Sequence, residues 1–412
     1  MKRQWIYYTL TLVMGGVYVA ALLNTQLIIV EGSPAWSSTF NWELILAGWG
    51  SFWYVIGSLF LASLSDRFGR LRCIGITCLI ITILEFMLGF HILGEFRMWH
   101  FFLLWGVSAC VLAVFFTGVE GLLSDYQDHS MPLARRLGLY CIAWCIGDVI
   151  GAFATGYTKQ YFGAETLYCA LGFLCLASFI ATLFDWRRHG DRKLGDMDIG
   201  VADIRPEAGF HAMMGRLGLF FGGFAVTALT ASFPRFGRDF HLLNEGEIGN
   251  VLSMYLVGCT LTFIWFPMWK GWHYKKKLQI LLQAPLFAGF VIAALTPVRA
   301  ILLLRIGFLM IGVGWGTAYF FSIYYSLIVP KQHSKSGGIH EGFLGMGNLL
   351  GPFTAVAVMM MVKRTDLMPP HEVGISALLL ASAITIISFI CQGLFIMLYK
   401  QKQSGDKKGI IH

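Results

Sequence analysis

The chain has 412 residues, 57% of them hydrophobic and only 13% charged, with a formal net charge of +8 and a mean hydropathy of +0.66. Soluble proteins carry roughly twice that charged fraction, so a single soluble core is excluded and an all-α polytopic membrane protein is implied. The basic excess is spread over short connectors rather than gathered on one face, which excludes a nucleic-acid-binding surface.

In chain order, twelve apolar runs are long enough to cross a bilayer: 7–29, 42–64, 73–93, 99–123, 137–161, 165–185, 213–234, 247–269, 278–296, 300–328, 338–362 and 373–399. Met1-Lys2-Arg3 leads into the first run with no small-residue cleavage site, so that run is expected to stay as a span. Alternate connectors, starting from the amino terminus, hold 23 basic residues and the intervening ones 7, with Arg305 inside a span. By the positive-inside rule both termini are cytoplasmic and the number of spans is even. The longest polar interval, 187–212, is too short for a domain and reads as a cytoplasmic linker. It separates an N-terminal six-helix bundle, 1–186, from a C-terminal six-helix bundle with a short tail, 213–412.

The connector after the second run reads Ala62-Ser63-Leu64-Ser65-Asp66-Arg67-Phe68-Gly69-Arg70-Leu71-Arg72. At a membrane surface Asp66 can accept charge-assisted hydrogen bonds, Gly69 can take a positive φ, and the arginines mark the cytoplasmic side. This stretch resembles G-x-x-x-D-[RK]-x-G-R-[RK], the loop signature of the major facilitator superfamily, with Ala62 in place of the glycine and Leu71 in place of the last base. The resemblance implies two pseudo-symmetric six-helix bundles that rock about a midplane site, a monomer in a bacterial inner (plasma) membrane, a small-molecule substrate, and no cofactor.

The two halves also read as diverged copies. Gly138, Gly147 and Gly151 in the fifth run recur as Gly338, Gly347 and Gly351 in the eleventh, at an offset of 200, with Pro352 after the last. Gly15-Gly16 pairs with Gly222-Gly223, Tyr54-x-x-Gly57 with Tyr255-x-x-Gly258, and Phe115-Phe116-Thr117 with Phe320-Phe321-Ser322. Such glycine rows let helices approach closely, and their order fits a parallel repeat. The pattern is similar to the G-(x)8-G-(x)3-G-P-x-x-G-G signature of drug:proton antiporters. Ala152 stands at the proline position of the fifth run and Thr155 at one of its glycines.

Among polar residues inside spans, Asp148 stands out. It falls near the midplane, where an aspartate costs about 2.5–3.5 kcal/mol on insertion scales, and Asn348 is its counterpart at offset 200. Asp148 is therefore a candidate for proton coupling or substrate binding beside Trp144, with a protonated, helix-packing aspartate as the structural alternative. Glu120 either receives a proton from a cavity or pairs with Arg135 or Arg136. Arg305 either meets an anionic group or snorkels outward. Asn24, Gln26 and Asn250 are further polar candidates, and Glu85 reads as a packed glutamate. The nine cysteines lie in or at the ends of spans and read as small packers. No H-x-x-x-H, D-D-x-x-D or G-x-x-x-x-G-K-[ST] pattern occurs, which argues against a membrane metalloenzyme and an ATP-driven pump.

These features together point to secondary transport, first as proton-coupled efflux of a drug-like or amphiphilic compound. Uptake or facilitated diffusion of a metabolite, a sugar or organic acid, is the second reading, and a non-transporting sensor on the same fold the third.

Overall fold

The computed structural model describes residues 4–32, 42–90, 97–125, 132–190, 205, 207–328, 333–364 and 370–408. Among these, all regular structure is helical. The N-terminal bundle consists of α1 (Gln4–Gly32), α2, α3 (Arg70–Gly89), α4 (Met98–Asp125), α5 (Leu133–Phe162) and α6 (Ala164–His189). α2 is Trp42–Ile56 running on through a π-helical turn, Gly57–Leu61, into Ala62–Phe68. The C-terminal bundle consists of α7 (Ala208–Asp239), α8 (Glu245–Met268), α9 in two pieces (Lys276–Leu281 and Ala284–Leu295), α10 (Ile301–Ile328), α11 (His333–Arg364) and α12 (Pro370–Lys408). α6 and α7 reach into the expected linker from both sides, and most of 187–212 lies outside the described residues.

Among the described residues, eleven of these helices are long and apolar enough to cross a membrane. His340, Glu341, Asn348 and Pro352 interrupt the apolar run of α11, and polar side chains within a bundle of spans are expected on its inner side.

Small residues set which helices touch. A β-carbon on Gly147 of α5 would collide with the Leu12 carbonyl of α1, and one on Gly151 with the Gly16 carbonyl. In the other bundle, Gly347 of α11 meets the Phe220 carbonyl of α7 in the same way, and Gly351 the Phe224 carbonyl. Hydrocarbon chains offer helices no hydrophobic incentive to associate, so backbone approach of this kind is what drives packing there. The bundles meet along two seams. α5 runs against α8, with Gly249 on the Ala152 carbonyl and Gly138 on Pro267, and α2 runs against α11, with Gly345 on Val55. α3 packs on α6, and α9 on α10 and α12, at the outside.

The packing corrects two register assignments of the repeat. Leu12 and Gly16 answer to Phe220 and Phe224, an offset of 208, so Gly15 corresponds to Gly223 rather than Gly222. Gly57 lies on the Cys110 carbonyl and Gly258 on the Leu309 carbonyl, which aligns α4 with α10 at an offset of 199 rather than 205. Aromatic residues recur often enough to permit the wrong match; only the glycine contacts fix it.

Candidate functional site

A cavity of about 220 Å³ lies between the two bundles, lined from α1, α2, α4 and α5 on one side and α7, α8, α10 and α11 on the other. Asp148 and Trp144 of α5 line it, as do Asn348 and Pro352 of α11 and Gln26 of α1. The structure places Asp148 and Asn348 in equivalent settings. Asp148 Oδ1 lies over Gly15 and Asn348 Oδ1 over Gly223, each where a β-carbon would otherwise stand.

The wall is largely aromatic and is shared between the bundles. The Trp144 ring meets Trp315 at 6.1 Å between centroids and Tyr319 at 5.3 Å, both from α10, and Phe263 of α8 at 5.6 Å. Edge-on contacts of this kind contribute about 0.5–1.5 kcal/mol each beyond area burial. Within the described residues, Asp148 Oδ1, Gln26 Nε2 and the indole nitrogens of Trp144 and Trp315 have no hydrogen-bond partner. All four belong to residues that line the cavity, and buried polar groups without a partner are disfavoured.

Other polar candidates sit elsewhere. Asn24 is fully buried and donates from Nδ2 to the Ala164 carbonyl at 3.1 Å, fastening α1 to α6. Arg305 and Asn250 are half-buried and Glu85 is buried, and none of the three lines the cavity. In the connector between α2 and α3, Gly69 has φ +97° and Arg67 is exposed. The Arg70 guanidinium packs against Gly121 of α4. The side chain of Asp66 lies outside the described residues. Gly338 faces the Ser58 carbonyl of α2 across the seam.

Toward the end of the molecule that bears the termini, a carboxyl cluster forms the cavity floor. Glu341 of α11 accepts a hydrogen bond from the Tyr54 hydroxyl of α2 at 2.7 Å. Glu120 of α4 accepts one from the Tyr140 hydroxyl of α5 at 3.2 Å. Glu120 Oε2 stands 3.4 Å from where a β-carbon on Gly337, one turn before Glu341, would lie. His340 Nε2 is 3.7 Å from Glu341 Oε1, while its Nδ1 meets the Ser322 hydroxyl at 2.8 Å. Arg136 donates to the Leu123 carbonyl at 3.2 Å.

At the opposite end, ion pairs join the bundles. Lys159 of α5 stands 2.6 Å from Glu31 of α1 and 2.7 Å from Glu245 of α8. Arg235 of α7 forms a two-pronged pair with Glu43 of α2, both side chains being almost wholly buried. Both cross-bundle acids, Glu43 and Glu245, occupy the first turn of their helix, where the helix dipole favours negative charge.

Sequence reasoning missed Glu341, which lies only three residues inside the eleventh apolar run, where an acid looks like a span-end charge and the insertion cost is smaller than at the midplane. It also counted Lys159 and Arg235 as connector charges, because a charge near a span end looks the same whether it faces water or a partner.

The sequence profile of the Major Facilitator Superfamily matches residues 14–352. Comparison with curated proteins finds no match. Among solved structures, the chain is similar to the nucleoside transporter NupG, with a TM-score of 0.64 and 14% identity, over 96% of this chain and 99% of that one.

Proposed function

The chain belongs to the Major Facilitator Superfamily, and from that premise we propose that it carries a compact, planar organic solute, neutral or cationic, across the membrane by alternating access. The observation that supports the substrate class is the lining of the cavity. Its carboxyls are Asp148 and Glu341, and no lysine, arginine or histidine is among the described residues that line it. Glu341 is engaged by Tyr54, which leaves Asp148 to face the solute beside the Trp144 and Trp315 rings. A carboxylate next to aromatic faces suits a protonated amine and disfavours an organic acid. The cavity is smaller than the ~300–1,000 Å³ of sites for drug-sized ligands, so a compact solute fits better than a bulky one.

Export in exchange for protons is the direction favoured by the acidic lining and by the glycine rows of α5 and α11. Uptake of a neutral metabolite such as a nucleoside is the second reading, favoured by the cavity volume and by the likeness to a nucleoside transporter. The positive-inside distribution supports cytoplasmic termini in a bacterial inner membrane, with 1–186 and 213–412 as the rocking halves around the 187–212 linker.

Counterflow in proteoliposomes tests the proposal, with labelled tryptamine as the cationic probe, labelled uridine as the neutral one and labelled benzoate as the anion. Exchange of tryptamine or uridine without benzoate is expected. Exchange of benzoate alone overturns the substrate class, and binding without any counterflow identifies a sensor instead.

A further inference from the structure

The cavity floor joins two acids from different bundles, and the solute reading uses neither as a ligand. On the premise that the bundles rock, we propose that Glu120 and Glu341 hold one proton between them, and that this proton ties the bundles together at the terminus-bearing end until it leaves to the water there.

Geometry carries the inference. Glu120 is 4% exposed and Glu341 1%, so both side chains are largely closed off from bulk water. Tyr54 and Tyr140 donate to Glu341 Oε2 and Glu120 Oε1. Glu120 Oε2 meets no donor among the described residues. It points across the seam, 3.4 Å from where a β-carbon on Gly337 would stand, one turn before Glu341.

Among the described residues, the titratable groups nearest the pair are Tyr54 of α2, Tyr140 and Cys141 of α5, Tyr319 of α10, and His340 of α11. The fixed cations on the packed elements, Arg216 of α7 beyond His340 and Arg70 of α3 against Gly121, stand outside that group. Two ionised carboxylates side by side in such a dry seam repel strongly, whereas one proton between them makes a short charge-assisted bond. The pair then titrates as a unit. When the seam opens, water reaches both groups, the proton departs, and the two like charges hold α4 and α11 apart. Asp148 lies deeper in the cavity and takes no part, which separates the solute's charge from the proton's.

Hydrogen exchange on the full-length protein in nanodiscs, without any solute, reads the opening directly. Release of one proton on opening raises the opening equilibrium about tenfold per pH unit through the titration. After correction for the intrinsic rate, peptides covering 50–62 of α2 and 337–350 of α11 are expected to show that slope between pH 6 and 9. Peptides covering 155–162 and 243–250, at the opposite end, are expected to lack it. E120Q and E341Q are each expected to flatten the slope while still eluting as monodisperse protein.

A flat profile in the unsubstituted protein, or a retained slope in both glutamine variants, overturns the inference. The unsubstituted protein alone decides if a variant fails to fold. Absent counterflow with the slope intact removes the transport reading alone, and intact counterflow with a flat slope removes only the shared proton.

Discussion

Gly15 of α1 stands directly under Asp148 of α5: a β-carbon at position 15 would lie 2.7 Å from Asp148 Oδ1 and 2.8 Å from the Trp144 carbonyl. The matching position, Gly223, leaves 2.9 Å to Asn348 Oδ1, while the nearest backbone atom is 3.7 Å away. Gly15→Ala therefore has to move backbone, whereas Gly223→Ala has only to swing a side-chain amide. Overpacking costs typically 1–3 kcal/mol, and Gly15→Ala is expected near the upper part of that range, with Gly223→Ala below it. Thermal unfolding in detergent measures both, and a reversed order contradicts the packing described.

Asp148→Asn keeps the shape and removes the charge. Hydrogen bonds to charged groups contribute about 1.5–3 kcal/mol, so the half-saturation concentration for tryptamine counterflow is expected to rise at least about tenfold. Uridine counterflow, where it occurs, should change far less. Equal effects on both probes would mean that Asp148 holds the helices rather than the solute.

The Arg235–Glu43 pair is closed off from water on both sides. Removing one partner of a buried pair typically costs 3–5 kcal/mol because the other charge is stranded. Arg235→Met should therefore loosen the far end, read as increased labelling of a cysteine placed at residue 246. The double variant E43R/R235E should recover part of that loss, and no recovery would assign the effect to lost packing.

His241, between α7 and α8, is fully buried against Phe236 and Phe240. Burial pushes its imidazole down to about 4, from an ordinary 6.5. As pH falls below 6.5 the unfolded chain gains a proton that the native site refuses, so stability is lost between pH 6.5 and about 4 and is level above 7. Melting temperatures across that range should fall less steeply in His241→Gln. An unchanged slope would assign the acid sensitivity to other groups.

Much of the architecture is legible in the residues themselves. Apolar runs, alternating loop charge and the glycine spacing of α5 and α11 give the twelve helices and the repeat, because bilayer thickness and backbone approach impose those patterns locally. What the chain conceals is pairing at a distance. Glu43 and Arg235 are 192 residues apart, and Tyr54 and Glu341 are 287 apart, so no local signal connects them. Asn24 and Arg305 drew attention as polar residues within spans, yet helix rotation decides whether such a group meets a cavity, a neighbouring carbonyl or neither. The register of α1 against α7 was misjudged by one residue for a related reason: Gly222-Gly223 offers two candidates and only contact selects between them.

Pro352 follows Asn348 by one helical turn and lines the cavity, and a proline has no N–H to return to the carbonyl four residues earlier. Position 152 in α5 is alanine, so the Asp148 carbonyl keeps its helical partner. The two faces of the cavity thus match in backbone register but differ in chemistry: one presents a carboxyl, the other an amide beside a main-chain carbonyl that has lost its α-helical donor. A molecule held between them has a head and a tail. On the proposed reading, a solute turned end for end meets different groups, so its orientation is set by the protein rather than by the side of the membrane from which it came.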